Sequence, residues 1–484
     1  MLRHHHLHSR VVALLGCCLA SLAAVATSAA ESTRRPNIVL ILADDLGWSD
    51  LGCYGADLVE TPHIDRLAAD GVRFTQAYAM SVCSPSRATL LTGRHAARLR
   101  ITIWSEGSRS GPRNRPLLEA PSLHDLPHTE KTLATHLHDS GYLTALVGKW
   151  HLGDARHHPE THGFDVNIGG TQWGAPHSFW WPYRGAGRFG PEFRYVPHLE
   201  FGTPDEYLTD RLTDEAIRVI DRAGDRPFFL YLAHHAPHTP IEAKADVVAY
   251  FQGTIGPGMQ HRNATYAAMV RSFDESVGRV LDHLAARGLD RDSVVIVTSD
   301  NGGFIGFDRG SGDTTPVTSN APLRSGKGSL YEGGVRVPLI VRWPGITTRG
   351  AVCAEPVTLT DLFHTLCPPA AADGPAERDG LDIGPLLHDS AARLDRDALF
   401  FHYPHYYETT TPVSAVRMRD WKLLEYLEDG RLELYNLRDD PSERIDLAAR
   451  MPDRAEAMAR RLHEWRTSVD AAMPTPNPDF RAKK

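Results

Sequence analysis

Cysteine is scarce in this chain. Six occur in 484 residues, and two of them, Cys17 and Cys18, fall within the first 30. The other four, Cys53, Cys83, Cys353 and Cys367, are too few and too scattered for a disulfide framework. There is room for one bridge at most, between Cys353 and Cys367, and buried free thiols account for that pair equally well. Stripes of one charge are missing too. The 52 basic and 60 acidic residues are interspersed, with a net charge of -8, and nothing resembles the basic track that neutralises a phosphate backbone. That argues against nucleic acid as a partner. After residue 30 no stretch reaches the roughly 18 uninterrupted apolar residues of a membrane span, so no span is expected. Internal repeats are absent, and a composition of 42% hydrophobic and 23% charged residues with 40 Gly and 33 Pro excludes a coiled coil, a collagen and a disordered chain.

The first 30 residues begin MLRHHHLHSR, continue as an apolar run from Val11 to Ala26, and end in small residues through Ser28 and Ala30. This is the order of a secretory signal peptide, so residues 1–30 are read as one and the chain as exported, periplasmic or secreted. A lipoprotein site at Leu14-Leu15-Gly16-Cys17 is disfavoured because the apolar run continues past Cys17. The length exceeds what one core organises, which predicts a large domain over residues 36–395 and a smaller one over 396–484.

From Asn37 onward the pattern is α/β. Ile38 to Leu42 is a branched apolar run suited to a strand buried on both faces, in a mostly parallel sheet. Further strands are expected at Leu143 to Val147, Phe228 to Leu232, Val294 to Thr298 and Leu339 to Val341, joined by right-handed helical crossovers. Thr61 as N-cap, Pro62 and a stop at Gly71 predict one helix; Tyr266 to Arg287, closed by Gly288, predict another. Between Ala155 and Asp205 the chain is rich in Gly, Pro and aromatics without a period and reads as a long surface loop. After about Asp395 come four short alternating segments and an amphipathic helix around Ala455 to Val469, an α+β appendage.

In such sheets ligands bind beyond the carboxyl ends of the strands. Four predicted strand ends there carry chemistry: Asp44 and Asp45; Lys149 and His151; His234, His235 and His238; Asp300 and Asn301. The Asp-Asp pair alone suits a turn or cap equally well. With Asp300 and Asn301 it forms an all-oxygen set suited to Ca2+ or Mg2+. The histidines are compatible with zinc or with solvated loops.

The segment Cys83-Ser84-Pro85-Ser86-Arg87 through Gly93-Arg94, together with Gly141-Tyr142-Leu143 through Gly148-Lys149-Trp150-His151, resembles the two signatures of the type I, formylglycine-dependent sulfatases of the alkaline-phosphatase-like superfamily. The likeness runs from Asn37 to about Tyr435 and takes in Ala236-Pro237-His238-Thr239-Pro240 and Gly326-Lys327-Gly328. It implies a large mixed, mostly parallel sheet between helices with a C-terminal α+β subdomain, and hydrolysis of a sulfate monoester, expected on a sulfated glycan or oligosaccharide. By the resemblance Cys83 is converted to formylglycine by a formylglycine-generating enzyme before folding. One Ca2+ is held by Asp44, Asp45, residue 83, Asp300 and Asn301. Arg87 orients the aldehyde hydrate, Lys149 and Lys327 bind sulfate oxygens, His151 turns over the covalent intermediate, and His238 protonates the leaving alcohol, with His235 a further candidate.

Physical logic runs beside the likeness. Charge builds on the leaving oxygen, so a cation, two lysines and an acid are the expected stabilisers. A hydrated aldehyde keeps a second hydroxyl through which sulfate can be expelled, which a thiol lacks. Pro85 suits the first turn of a helix whose positive end would carry residue 83. Trp104, Trp173, His177, Trp180, Trp181, Tyr183 and Arg184 are candidates for a sugar-binding wall, and His402, His405, Tyr406 and Tyr407 belong to the appendage, where relatives close the pocket. Of these, His177, Trp180, Arg184 and His405 are taken as substrate-binding. Two rival readings stand beside this one: a phosphonate monoester or phosphodiester hydrolase of the same superfamily, and a non-catalytic sulfated-glycan binding protein.

Overall fold

The computed structural model describes residues 35–108, 114–308, 312–367 and 378–482; the signal peptide expected at 1–30 lies outside them. Among the described residues nine strands build the main sheet: β1 (Asn37–Ala43), β2 (Val72–Tyr78), β3 (Leu143–Gly148), β4 (Val166–Ile168), β5 (Phe228–Ala233), β6 (Ser293–Ser299), β7 (Arg336–Arg342), β8 (Ala351–Cys353) and β9 (Val357–Thr358). Their order is β9-β2-β7-β6-β1-β5-β3-β4, with β8 also on β2. β7 runs antiparallel to both neighbours, and the remaining pairs are parallel. β1 sits mid-sheet, which is why its apolar residues run without interruption. Val39, Ile41 and Ala43 enter the core on one face, Ile38, Leu40 and Leu42 that on the other.

Helices cover both faces. On one lie α1 (Pro62–Asp70), α3 (Leu208–Ala223) and α4 (Ala264–Ala286), through residues such as Ile64, Leu212 and Val277; on the other lie α2 (Cys83–Thr92) and α5 (Leu359–Leu366), through Leu90 and Phe363. The predicted helix from Tyr266 begins two residues earlier, where the Asn263 side chain accepts the Tyr266 N–H at 2.9 Å. One expectation at α1 needs correcting. The Thr61 hydroxyl does not cap the helix; it accepts the Gly52 N–H and donates to Asp65. The stop at Gly71 holds, at a φ of -133°, and glycine is needed there because a side chain would strike the Val341 carbonyl.

Strand β2 was not expected, its apolar residues being interrupted by Arg73, Thr75 and Gln76. The region from Ala155 to Asp205 is likewise more than a surface loop. It supplies β4, which pairs with β3, and it buries Phe179 and Tyr183 completely. Cys353 and Cys367 are free thiols.

A second sheet of four consecutive antiparallel strands follows: β10 (Leu399–Tyr403), β11 (Val413–Met418), β12 (Trp421–Tyr426) and β13 (Leu432–Asn436). Helix α6 (Pro452–Ser468) packs Leu462 and Trp465 against its Val416, Leu423 and Leu434. Both sheets lie in one compact unit, Asn37–Lys484. Lys422 on β12 is fully buried between Glu332 and Glu443, at 2.9 and 3.0 Å. No helix among the described residues is long and apolar enough to cross a membrane.

Burial holds two histidines neutral in this scaffold. His234 bonds Ser276 at 2.9 Å, and His402 sits between the Ser414 hydroxyl and the Ala472 carbonyl; burial lowers both from 6.5 to about 3. The unfolded chain therefore binds more protons than the folded one between those values, so each contributes a loss of stability as the pH falls below 6.5. His402→Asn is expected to flatten the dependence of unfolding free energy on pH between 7 and 5 relative to the unsubstituted protein, measured by urea denaturation. An equal or steeper slope would contradict this.

Candidate functional site

The four parallel strands β6, β1, β5 and β3 are adjacent, and their carboxyl ends deliver side chains to one edge. Backbone bonds stitch the turns together: the Asp300 N–H reaches the Ala43 carbonyl, Asp44 that of Ala236, His234 that of Leu42, and Lys149 that of Ala233, at 2.7 to 3.2 Å. Asp45 adopts a left-handed φ of 65° and gives its N–H to Asp300 Oδ1 at 3.2 Å. This turn keeps two consecutive carboxylates at the same edge.

Cys83 is the first residue of α2, which ends at Gly93 with a φ of 66°. Its Sγ lies 3.4 Å from Asp44 Oδ1 and 3.5 Å from Lys327 Nζ, and the residue is 3% exposed. One turn along the helix, Arg87 donates Nε to Asp300 Oδ2 at 2.9 Å, with Nη2 also 2.9 Å from that oxygen as an ion pair, and donates Nη1 to the Lys149 carbonyl at 3.0 Å. Lys149 Nζ reaches Asp44 Oδ2 at 2.6 Å, and Lys327 Nζ lies 2.8 Å from each oxygen of Asp45. Asn301 donates Nδ2 to Asp45 Oδ1 at 2.7 Å, and His238 Nε2 is 3.5 Å from Asp45 Oδ2. Three carboxylates thus face three cations in a desolvated cluster.

Burial and the neighbouring Asp44 push Asp300 up to about 6. At Asp45 burial is outweighed by Lys327 and His238, which hold it at about 2. Burial, reinforced by Asp44, raises the Cys83 thiol, so as a cysteine it stays protonated and is a poor nucleophile. His238 is lowered to about 3, by burial first and then by Lys327.

Can this cluster hold a metal? Donor atoms of Asp44, Asp45, Cys83 and His238 all lie within 4.8 Å of one another. The side-chain oxygen Oδ1 of Asn301 is buried with no hydrogen-bond partner among the described residues, although its Nδ2 is engaged. Such an orphan acceptor costs about 1–3 kcal/mol unless something binds it. A hard cation beside Asp44, Asp45 and Asp300 satisfies it, so the donor set fits Ca2+ or Mg2+.

His151 has a left-handed φ of 61°, and its carbonyl accepts the Ser84 hydroxyl at 2.8 Å, next to Cys83 in the chain. Burial and then Lys149 lower it to about 4. His235 is buried nearby with neither ring nitrogen bonded among the described residues. Glu106 was not foreseen: its Oε2 lies 3.2 Å from His151 Nε2, yet the segment Trp104-Ser105-Glu106 has neither period nor motif. From the connection between β10 and β11, Thr409 donates to the Lys327 carbonyl at 2.8 Å, and the Tyr407 ring lies where a side chain at Gly328 would be. Tyr407 also meets Trp104 edge to face, with centroids 5.7 Å apart.

The expected substrate contacts fare differently. His405 is 1% exposed and bonded to Thr102 at 2.8 Å and Glu119 at 3.2 Å, so it braces the interior rather than lining a pocket. Trp180 packs on Tyr207 with centroids 5.0 Å apart, the His177 carbonyl accepts from Arg188, and Arg188 pairs with Glu242. The structure thus groups His177 and Trp180 around Glu242 and Tyr207, while Arg184 is exposed. A second cluster, His128, His157 and His162, has metal-like spacing, but backbone carbonyls already engage it: Leu126 takes His157 and His162 at 2.8 and 3.0 Å, and Arg156 takes His128 at 2.9 Å.

The family model Sulfatase matches residues 36–370, and a second model, N-sulphoglucosamine sulphohydrolase, C-terminal, matches residues 326–468. The chain is 32% identical over 523 residues to a sulfatase of Formosa agariphila, covering 94% of this chain and 93% of that one. It is 36% identical over 476 residues to the steryl-sulfatase of Mus musculus, covering 82% and 72% respectively. The crystal structure of Ps i-CgsB in complex with k-i-k-neocarrahexaose matches with a TM-score of 0.74 at 29% identity, over 93% of this chain and 96% of that one.

Calcium at a hundredfold excess over its dissociation constant is expected to stabilise the protein by about 2.7 kcal/mol, seen as a rise in melting temperature that EDTA reverses and Asp44→Asn loses. An unsubstituted protein indifferent to both Ca2+ and Mg2+ would exclude the site.

Proposed function

The chain belongs to the sulfatase family and is a sulfuric ester hydrolase, and on that premise we propose that it cleaves a sulfate monoester on a carbohydrate, with Cys83 converted to formylglycine and one Ca2+ held by Asp44, Asp45, Asp300 and Asn301. The observation that carries this reading is the convergence of that oxygen set, Lys149 and Lys327 on residue 83 at one edge of the sheet. When present, the cation polarises a sulfate oxygen and the hydrated aldehyde supplies an oxygen nucleophile in place of the thiol.

The chain's own residues do the rest. Since Asp44, Asp45 and Asp300 balance Arg87, Lys149 and Lys327, a bound dication leaves the cluster with an excess of two positive charges, which attracts a singly charged ester. Lys149 and Lys327 bind sulfate oxygens, and Arg87 holds Asp300 in place. His238 is the member at the rim, with its side chain 14% exposed, and so stands where a leaving alcohol would emerge. Neutral in the free site, its imidazole gains a proton more readily once an anion lies beside it, and Nε2 passes that proton to the alcohol oxygen. His151, whose Nδ1 has no hydrogen-bond partner among the described residues, accepts a proton there.

A sugar ester is supported by the structural relative in complex with k-i-k-neocarrahexaose and by the N-sulphoglucosamine sulphohydrolase match. In this reading residues 36–395 form the catalytic domain and 396–484 the subdomain closing the Lys327 side. A formylglycine-generating enzyme matures the chain, and the leader at 1–30 directs it out of the cytoplasm.

Cys83→Ala is expected to abolish turnover of an aryl sulfate with an unchanged circular dichroism spectrum, and the peptide carrying residue 83 should have the mass of a carbonyl in place of a thiol. A protein that retains the thiol, or that prefers an aryl phosphate to the sulfate, would refute the assignment. His238→Asn should slow a sugar sulfate by about 10²- to 10⁴-fold while sparing p-nitrophenyl sulfate, whose leaving group needs no proton. Equal losses on both would remove His238 as the acid.

A further inference from the structure

We propose that Glu106 is a positioning residue of this hydrolysis: fixed by Arg194 and the Gly174 amide, its carboxylate holds the His151 ring with Nε2 protonated and Nδ1 bare to accept a proton. The inference rests on the sulfatase reading for its kinetic consequence, but its geometry stands alone.

Glu106 Oε2 is 3.2 Å from His151 Nε2, while Oε1 takes the Gly174 N–H at 3.4 Å and lies 3.5 Å from Arg194 Nη2. Arg194 is itself buried, at 6% exposure, with its guanidinium over the rings of Phe189 and Trp173 at 4.5 and 5.2 Å and Nη1 on the Ala175 carbonyl. The carboxylate therefore has a defined place, although it comes from a helix of only four residues, Ser105–Ser108.

Gly174 does a second job. A Cβ there would fall 2.5 Å from His151 Cε1 and 2.7 Å from Nε2, so only glycine leaves space for the imidazole in this place. Ser84 fixes the other end by bonding the His151 carbonyl. A carboxylate only accepts, and a neutral imidazole carries one N–H and one lone pair. With Nε2 facing Glu106 the N–H must be there, and the lone pair must be on Nδ1. That atom is buried and has no hydrogen-bond partner among the described residues, as a base awaiting its proton would be. Once Nδ1 is protonated the ring is a cation, which the carboxylate stabilises while Lys149 and Arg87 oppose it. A cavity of about 160 Å³ is bordered by both His151 and Glu106. A carboxylate behind a histidine serves the same purpose in hydrolytic triads.

The test has two arms. In ¹⁵N-labelled Cys83→Ala protein, which needs no modification or turnover, the His151 ring should show the single Nε2–H tautomer, and Glu106→Gln should give averaged or inverted ring nitrogen shifts. In the active enzyme Glu106→Gln should lower kcat on an aryl sulfate about 10²-fold or more with KM little changed, and Glu106→Asp should recover part of it. Adding Glu106→Gln to His151→Ala should cost nothing further. An Nδ1–H tautomer in the parent overturns the proposal, even where the Gln variant does not fold. So does a kcat within twofold of the parent, or a loss that adds to that of His151→Ala. An unsubstituted protein inactive on every sulfate ester would instead refute the sulfatase reading and leave the tautomer to judge Glu106.

Discussion

The structure turns on a balance of buried charge. Asp44, Asp45 and Asp300 are withdrawn from water at the end of the sheet, tolerable only because Arg87, Lys149 and Lys327 are withdrawn with them. Deleting one partner of a buried pair commonly costs about 3–5 kcal/mol, since the other is left uncompensated. Burial first, and then two of these cations, keep the nearby imidazoles neutral: Lys149 adds to the effect at His151, and Lys327 at His238. Burial and one electrostatic arrangement therefore set both the charge balance of the cluster and the neutrality of the two imidazoles. The strands supply the rigidity, because hydrogen bonds between adjacent turns prevent like charges from moving apart.

Much of this was legible in the chain, and the exceptions have physical reasons. Strand β1 announces itself because both of its faces are buried, so its composition needs no context. The polar residues after β1, β3, β5 and β6 could be collected in advance because a parallel sheet sends all its carboxyl ends to one edge. Short edge strands such as β4 draw their definition from a neighbour rather than from their own residues. Tyr183 and Phe179 lie in a segment without periodicity, yet are buried because irregular backbone wraps Tyr207 and Glu242. His405 has the composition of a ligand contact and the position of an internal brace, a distinction only its partners Thr102 and Glu119 reveal. Glu106 is the reverse case, an unremarked acid that packing gives a partner.

The second sheet contributes more than bulk. Lys422 between Glu332 and Glu443 ties β12 to the turn that enters β7, a few residues beyond Lys327. Thr409 and Tyr407 then hold the backbone on which Lys327 is carried. The ammonium beside residue 83 thus depends on chain laid down near residues 407–443, and the two sheets share one site instead of merely adjoining.

That dependence has a temporal side. Cys83 is enclosed in the finished protein, and the lysine 3.5 Å from its sulfur lies 244 positions further along. At a synthesis rate of about 5–20 residues per second, roughly 12–50 s separate the appearance of the cysteine from the appearance of the segment that helps cover it. An outside catalyst acting on that sulfur has this interval, or the unfolded chain, in which to reach it. Conditions that hasten closure would shut the sulfur away unaltered.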